Sequence, residues 1–101
     1  MLVVVALFEL QIEFAESLKD KRSVVKSLQH KLRDRFSMSV AEVGLQDLHQ
    51  RARLALSFIA LEHAAADANL DRIQSFIESH TDAVLAGFTA EKLEFDEGMT
   101  F

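Results

Sequence analysis

Residues 2–14 alternate in character. Leu2, Val4, Ala6, Phe8, Leu10, Ile12 and Phe14 share one side of an extended chain, while Val3, Val5 and Leu7 open the other side, which Glu9, Gln11 and Glu13 continue. A period of two is that of a strand with one side in a core. Ser17 follows, with Asp20 three residues on, in the manner of a helix N-cap and its capping partner. Val25, Leu28, Leu32 and Phe36 then recur at helical spacing, with Val24 beside them, which predicts a helix over 17–36. The short "SMSVAEVGL" (37–45) suits a strand and "QDLHQ" a turn. In "ARLALSFIALE" (52–62), Ala52, Leu54, Leu56, Phe58 and Ala60 alternate, which predicts a strand. "EHAAADANLDRIQSFIES" places Leu70, Ile73, Phe76 and Ile77 on one helical stripe. "DAVLAGFTAEKLEF" reads as a final strand, frayed by "DEGMTF".

The predicted order is β-α-β-β-α-β. This is the split βαβ, or ferredoxin-like, α+β sandwich: a four-stranded antiparallel sheet with two helices on one face. Residues 1–95 make one such domain and residues 96–101 a short C-terminal tail. The arrangement leaves the other sheet face uncovered. Strand parity sends Val3, Val5 and Leu7 to that face, together with Ala55, Ile59 and Leu61. Monomers seldom leave a large contiguous apolar patch in water, so a homodimer through the outer sheet face is expected. A rival cover is the tail, where Leu93, Phe95, Met99 and Phe101 would fold back.

Composition narrows the chemistry. The 101 residues suit one domain. With no cysteine, disulfides, thiolate metal sites and thiol nucleophiles are excluded. There is no proline and there are only three glycines, Gly44, Gly87 and Gly98, so no glycine loop cradles a phosphate. The opening "MLVVVALFEL" lacks a basic leader and meets Glu9 early, unlike a signal peptide. No run approaches the roughly 20 apolar residues of a membrane span. A cytoplasmic protein that does not engage a membrane is expected.

Charge changes the picture further. The formal net charge is -5, yet residues 17–53 hold nine bases (Lys19, Lys21, Arg22, Lys26, Lys31, Arg33, Arg35, Arg51, Arg53) against four acids, an excess of five positive charges. On a helical wheel Arg22, Lys26, Gln29 and Arg33 form one stripe, flanked by Lys19 and His30. Lys and Arg are ordinary residues for the wet side of a helix. Lys19, Lys21 and Arg22, however, sit in the first turns, where the helix dipole disfavours cations by about 0.3–1 kcal/mol each. Asymmetry of this kind points to an anionic partner. Lys19, Lys21, Arg22, Lys26, Arg33, Arg51 and Arg53 are the candidate binding residues, with Arg51 and Arg53 joining the basic surface from the hairpin.

The strings "SLKDKRSVVKSL" and "RDRFSMSVAEVGLQDLHQRA" resemble the YlxP-like family of small bacterial proteins of unknown function. The resemblance runs over about residues 1–95 and is most specific at 17–28 and 40–52. It implies a small ferredoxin-like domain. In many bacteria the genes of that family lie beside those of translation initiation and ribosome maturation factors, which implies a role around RNA or the ribosome. It implies no catalytic residues. His49 departs from it, standing where relatives often carry an aromatic residue, usually Trp.

Little else suggests catalysis. His30, His49, His63 and His80 make no i,i+4 pair and no metal-ligand motif. Asp47 and His49 lie close in the predicted turn, with Glu42 on the adjacent strand. Such groups would bind a metal or exchange a proton, but Asp in a turn ordinarily accepts backbone hydrogen bonds. Ser23, Ser27, Ser57, Ser75 and Ser79 lie mid-element, away from any nucleophile elbow. With no Tyr or Trp, the sheet lacks the usual platforms for stacking bases. The expectation is a non-catalytic accessory protein of translation without cofactor or metal, touching RNA or another anionic partner. A protein-interaction module and, last, a small hydrolase are the alternatives.

Overall fold

The structure is a computed structural model and describes residues 1–96 and 98. Its elements are β1 (Leu2–Gln11), α1 (Leu18–Arg35), β2 (Ser39–Gly44), β3 (Arg51–Ala60), α2 (His63–His80) and β4 (Val84–Glu94). The four strands form one antiparallel sheet in the order β2-β3-β1-β4. The two central strands are thus β1 and β3, the two whose alternation is cleanest in sequence.

Alternation sets the core. Leu2, Val4, Ala6, Phe8 and Leu10 of β1 pair in register with Ala60, Phe58, Leu56, Leu54 and Ala52 of β3, and all ten are buried. The helices cover this side alone. α1 buries Val25, Leu28 and Leu32, and α2 buries Ala66, Ile73 and Ile77. Burying a Val or Leu of this kind contributes roughly 1.5–3 kcal/mol. Phe36 of the α1 C-cap meets Phe76 of α2 edge-on, with ring centroids 5.4 Å apart, and joins the two helices. Ser17 caps α1: its hydroxyl accepts from the Asp20 N–H at 3.1 Å, and the Asp20 carboxylate accepts from the Glu16 N–H at 3.0 Å. The expected cap is present, with Asp20 also supplying the acid that the positive end of the helix favours.

Two expectations along the strands need correction. Parity was expected to carry Phe14 into the core, but β1 ends at Gln11 and the chain turns, leaving Phe14 52% exposed. The last in-register bond is that of the Ile12 N–H to the Gln50 carbonyl at 2.8 Å, after which the Ala15 N–H returns to Ile12. Leu61 was expected on the outer sheet face. It lies instead just past the end of β3, in the connection to α2. Two bulges punctuate the sheet, one opposite Glu9 and Leu10 that skips Ala86 of β4, the other skipping Val43 of β2. Of the expected tail contacts, Leu93 and Phe95 are exposed, while Met99 and Phe101 lie outside the described residues.

Candidate anion-binding surface and the lysine beneath it

α1 has two populations of basic side chains. The spacing 21, 25, 28, 32 is helical, so Lys21 lies on the same stripe as Val25, Leu28 and Leu32 and enters the interior, 1% exposed. Its ammonium meets the β2–β3 connection from below. It donates to the carbonyls of Leu45 at 2.8 Å, Gln46 at 3.3 Å and Arg51 at 3.3 Å. An ammonium has three protons, and these three carbonyls use them. Glu42, on the helix side of β2, brings its carboxylate Oε2 to 3.1 Å and completes the site by charge. That oxygen has no hydrogen bond of its own, which is the expected consequence of a donor already spent three times over. Lys21 is therefore not a contact residue for an outside anion. It is the tie between α1 and the hairpin.

The hairpin shows what needs tying. Leu45 has φ 59, the left-handed conformation that a residue with a Cβ adopts at a cost of about 1–2 kcal/mol. Its carbonyl is the nearest acceptor of Lys21. The Leu48 N–H closes the turn on Leu45 at 3.1 Å. Gln50 donates from its amide to the Glu13 carbonyl at 3.1 Å and the Ala15 carbonyl at 3.4 Å, fixing the hairpin to the β1–α1 connection. Asp47 was expected to hold the turn; it points into solvent and Lys21 and Gln50 do the holding. Glu42 is taken by Lys21 and so is not available to a site with Asp47 and His49. No cluster of three or more His, Cys, Asp or Glu able to hold a metal ion occurs among the described residues.

Lys19, Arg22 and Lys26 are the second population. All three are exposed on the outer side of α1, and none forms an ion pair or hydrogen bond with another described residue. Arg33 ends the stripe. Its Nη2 donates to the Val40 carbonyl of edge strand β2 at 2.7 Å, which leaves its other donors at the exposed surface. The four make a ridge along the outer side of the helix, on the side towards β2.

Arg51 and Arg53 are not part of that ridge. Leu54 and Ala52 face the helices, so Arg51 and Arg53 face the opposite side of the sheet. There Glu9 sits between them. Arg51 reaches Glu9 Oε2 at 2.8 Å and Arg53 reaches Oε1 at 3.1 Å, with side chains 47% and 41% exposed. The two guanidinium groups, Arg51 first, hold the Glu9 carboxyl below its ordinary range. The expected union of helix and hairpin cations thus fails: the sheet stands between them, and each hairpin arginine already has a carboxylate.

A groove of about 510 Å³ runs along the other flank of α1, towards α2. Val24 and Leu28 form its floor, Ser23 and Ser27 one wall, and Phe14 one lip. Lys31 crosses it to donate to the His80 carbonyl at the end of α2 at 3.1 Å, and the His80 ring stacks on Phe76 at 3.8 Å.

Fold and pairing define a ferredoxin-like α+β protein with a bare sheet face and a basic outer helix. Within that class, residues 3–89 match the family described as "Protein of unknown function (DUF503)", and the chain belongs to that family. It is 32% identical over 65 residues to "Uncharacterized protein YlxP" of Bacillus subtilis (strain 168), over 64% of this chain and 71% of that one. Among solved structures it is similar to one described as "Crystal structure of antibiotic biosynthesis monooxygenase", with TM-score 0.47 and 16% identity over 95% of this chain and 99% of the other. No chemistry follows from a likeness at that level. Among the described residues no helix is long and apolar enough to cross a membrane.

Proposed function

We propose that the protein is a non-catalytic accessory protein of the translation machinery that grips RNA phosphates with Lys19, Arg22, Lys26 and Arg33 of α1. The observation that carries this reading is that Lys19, Arg22 and Lys26 pair with no other described residue. They stand in the first half of a helix, where cations oppose the dipole, in a chain of net charge -5 that has twelve acids elsewhere to pair them with. Lys21, in the same turn, is supplied with a carboxylate and three carbonyls, so the fold does compensate a cation where it needs one. Phosphates are the partner that compensates the others. The association with translation rests on the gene neighbourhood that the YlxP-like resemblance implies. The non-catalytic reading is supported by Glu42, the half-buried carboxylate of β2, being committed to Lys21.

The test is the affinity of the protein for single-stranded RNA over a salt series. Each phosphate contact on a single strand contributes a log–log slope of about -0.7, so four contacts give about -3. Arg22→Glu with Lys26→Glu should halve the slope and weaken binding at every salt concentration. An affinity indifferent to salt, or unchanged in the double variant, refutes the reading.

A further inference from the structure

The outer face of the sheet has a row of large aliphatic side chains across three strands. Val3 of β1 is in register with Ile59 of β3 on one side and Leu93 of β4 on the other. Val5 and Leu7 extend the patch along β1. Ile59 is 59% exposed, Leu93 54%, Val5 40% and Leu7 39%. Of their neighbours on this face, Ala41, Ala55, Ser57 and Thr89 are small and uncharged, and Glu91, opposite Val5 on β4, is the charged one.

We propose that a second copy of this chain occupies this face, the two protomers stacking sheet against sheet about a two-fold axis with their helices outward. Charge selects the occupant. The strand side chains that face this way include four charged groups, Glu9, Arg51, Arg53 and Glu91, and their charges cancel. A chain of net charge -5 repels its own copies over most of its surface, but this face is neutral. An acidic or a basic partner meets no net charge here. The position of the patch agrees. It runs along central strand β1 from Val3, beside one end of the sheet, to Leu7, so a two-fold axis through it sets apolar row on apolar row, while the Glu9–Arg51–Arg53 group sits towards the other end and stays wet. Val5, Leu7, Ile59 and Leu93, each 39–59% exposed, would leave water together in such a pair. Contiguous exposed apolar patches mark interaction sites.

The arrangement has a consequence for the basic ridge. The two α1 helices fall on opposite outer faces of the dimer, with two sheets between them. One short RNA then cannot reach both ridges. Resting on the function proposed above, the dimer takes two oligonucleotides, one per chain, and is able to hold two strands or two segments of one long RNA.

Light scattering coupled to size exclusion, on the full chain at micromolar concentration, should give twice the 11.4 kDa of one chain. Ile59→Lys, a change at an exposed position, should give the monomer mass with an unchanged circular dichroism spectrum, and Val5→Asp should do likewise. A parent that stays at 11.4 kDa overturns the proposal, as does a dimer that survives both substitutions. A monomer that begins to associate once residues 97–101 are removed also overturns it, because the tail is then the cover. Titration of the parent with a short single-stranded RNA should saturate at one per chain. A dimer that binds no RNA leaves this interface standing and removes the function proposed for α1; a monomer that binds RNA does the reverse.

Discussion

Lys21 and Lys26 lie five residues apart on one helix and belong to different worlds. Lys21 is in the interior, under the β2–β3 turn, with three carbonyls and a carboxylate around its ammonium. Lys26 stands on the outer ridge, exposed and with no ion pair to a described residue. The difference teaches that a basic segment is not one feature. The inner cation is a structural part held by three carbonyls and a carboxylate, and the outer ones carry charge that no described residue neutralises.

The largest break in that comparison is Lys21→Met. Met keeps the length of the side chain in the apolar stripe but removes the ammonium, so packing and charge are separated. The substitution strands three carbonyls and leaves the Glu42 carboxylate, 20% exposed, beside an apolar group. Removing one partner of a buried ion pair costs about 3–5 kcal/mol, a large part of the stability of a domain this size. Urea unfolding should show that loss, and the hairpin amides should lose protection in hydrogen exchange. A cost below about 1 kcal/mol would mean that the ammonium does not hold the turn.

Glu42→Gln sharpens the same contrast with a smaller effect. The three carbonyls still satisfy the protons of Lys21, but the positive charge is no longer balanced at short range. A loss of about 1–2 kcal/mol is expected, less than for Lys21→Met, because hydrogen bonds to a charged group survive. In the double variant, Lys21→Met with Glu42→Gln, the two losses should not add, since neither partner is left as an isolated charge. Additive losses in urea unfolding would show that the pair does not interact.

How much of this was legible depends on the kind of signal. Strand and helix order came from period alone, and the register of β1 against β3 follows from two clean alternations. Phe14 broke the pattern because periodicity has no means of marking where a strand stops; the turn at residues 13–14 is set by tertiary bonds, from Ile12 to Gln50 and from the Gln50 amide to Glu13. Lys21 is legible by its spacing and not by its identity. Its offsets of four, seven and eleven from Val25, Leu28 and Leu32 place it on the buried stripe, but the identity of a lysine outweighs its spacing unless a partner is in view. The partners are backbone carbonyls more than twenty residues away, which no side-chain pattern announces. Arg51 and Arg53 were misplaced for a simpler reason. Their strand parity, opposite to Ala52 and Leu54, already sends them to the far side of the sheet from α1.

On the ridge the expected effect on stability is close to nothing, and its sign is informative. Arg22→Glu with Lys26→Glu removes two cations from the first half of α1 and adds two acids, which the helix dipole favours by a few tenths of a kcal/mol each. Thermal unfolding should therefore show no loss, or a slight gain, while RNA affinity falls. Loss of more than about 1 kcal/mol in the double variant would show that the ridge cations take part in the fold as Lys21 does, and the two populations on α1 would collapse into one.

The smallest effect concerns the third set of basic residues, Arg51 and Arg53, whose state lies between those of Lys21 and Lys26: paired, but exposed. Glu9 holds both, and they hold its carboxyl below the ordinary value near 4.5. The sign follows from linkage. A carboxyl whose folded value is depressed contributes stability above its unfolded value and loses it as pH falls through the folded value. The Glu9 contribution is thus complete at neutral pH and fades only below about pH 4.5. Water screens a pair this exposed, so the melting temperature of Glu9→Gln should lie only slightly below that of the parent at pH 7, and the gap should narrow as the solution is acidified below about pH 4.5. Added salt at pH 7 should narrow it as well, which a buried pair such as Lys21–Glu42 would resist. A gap that persists unchanged into acid would mean that Glu9 stabilises the sheet by packing, and that Arg51 and Arg53 are as free as Lys26.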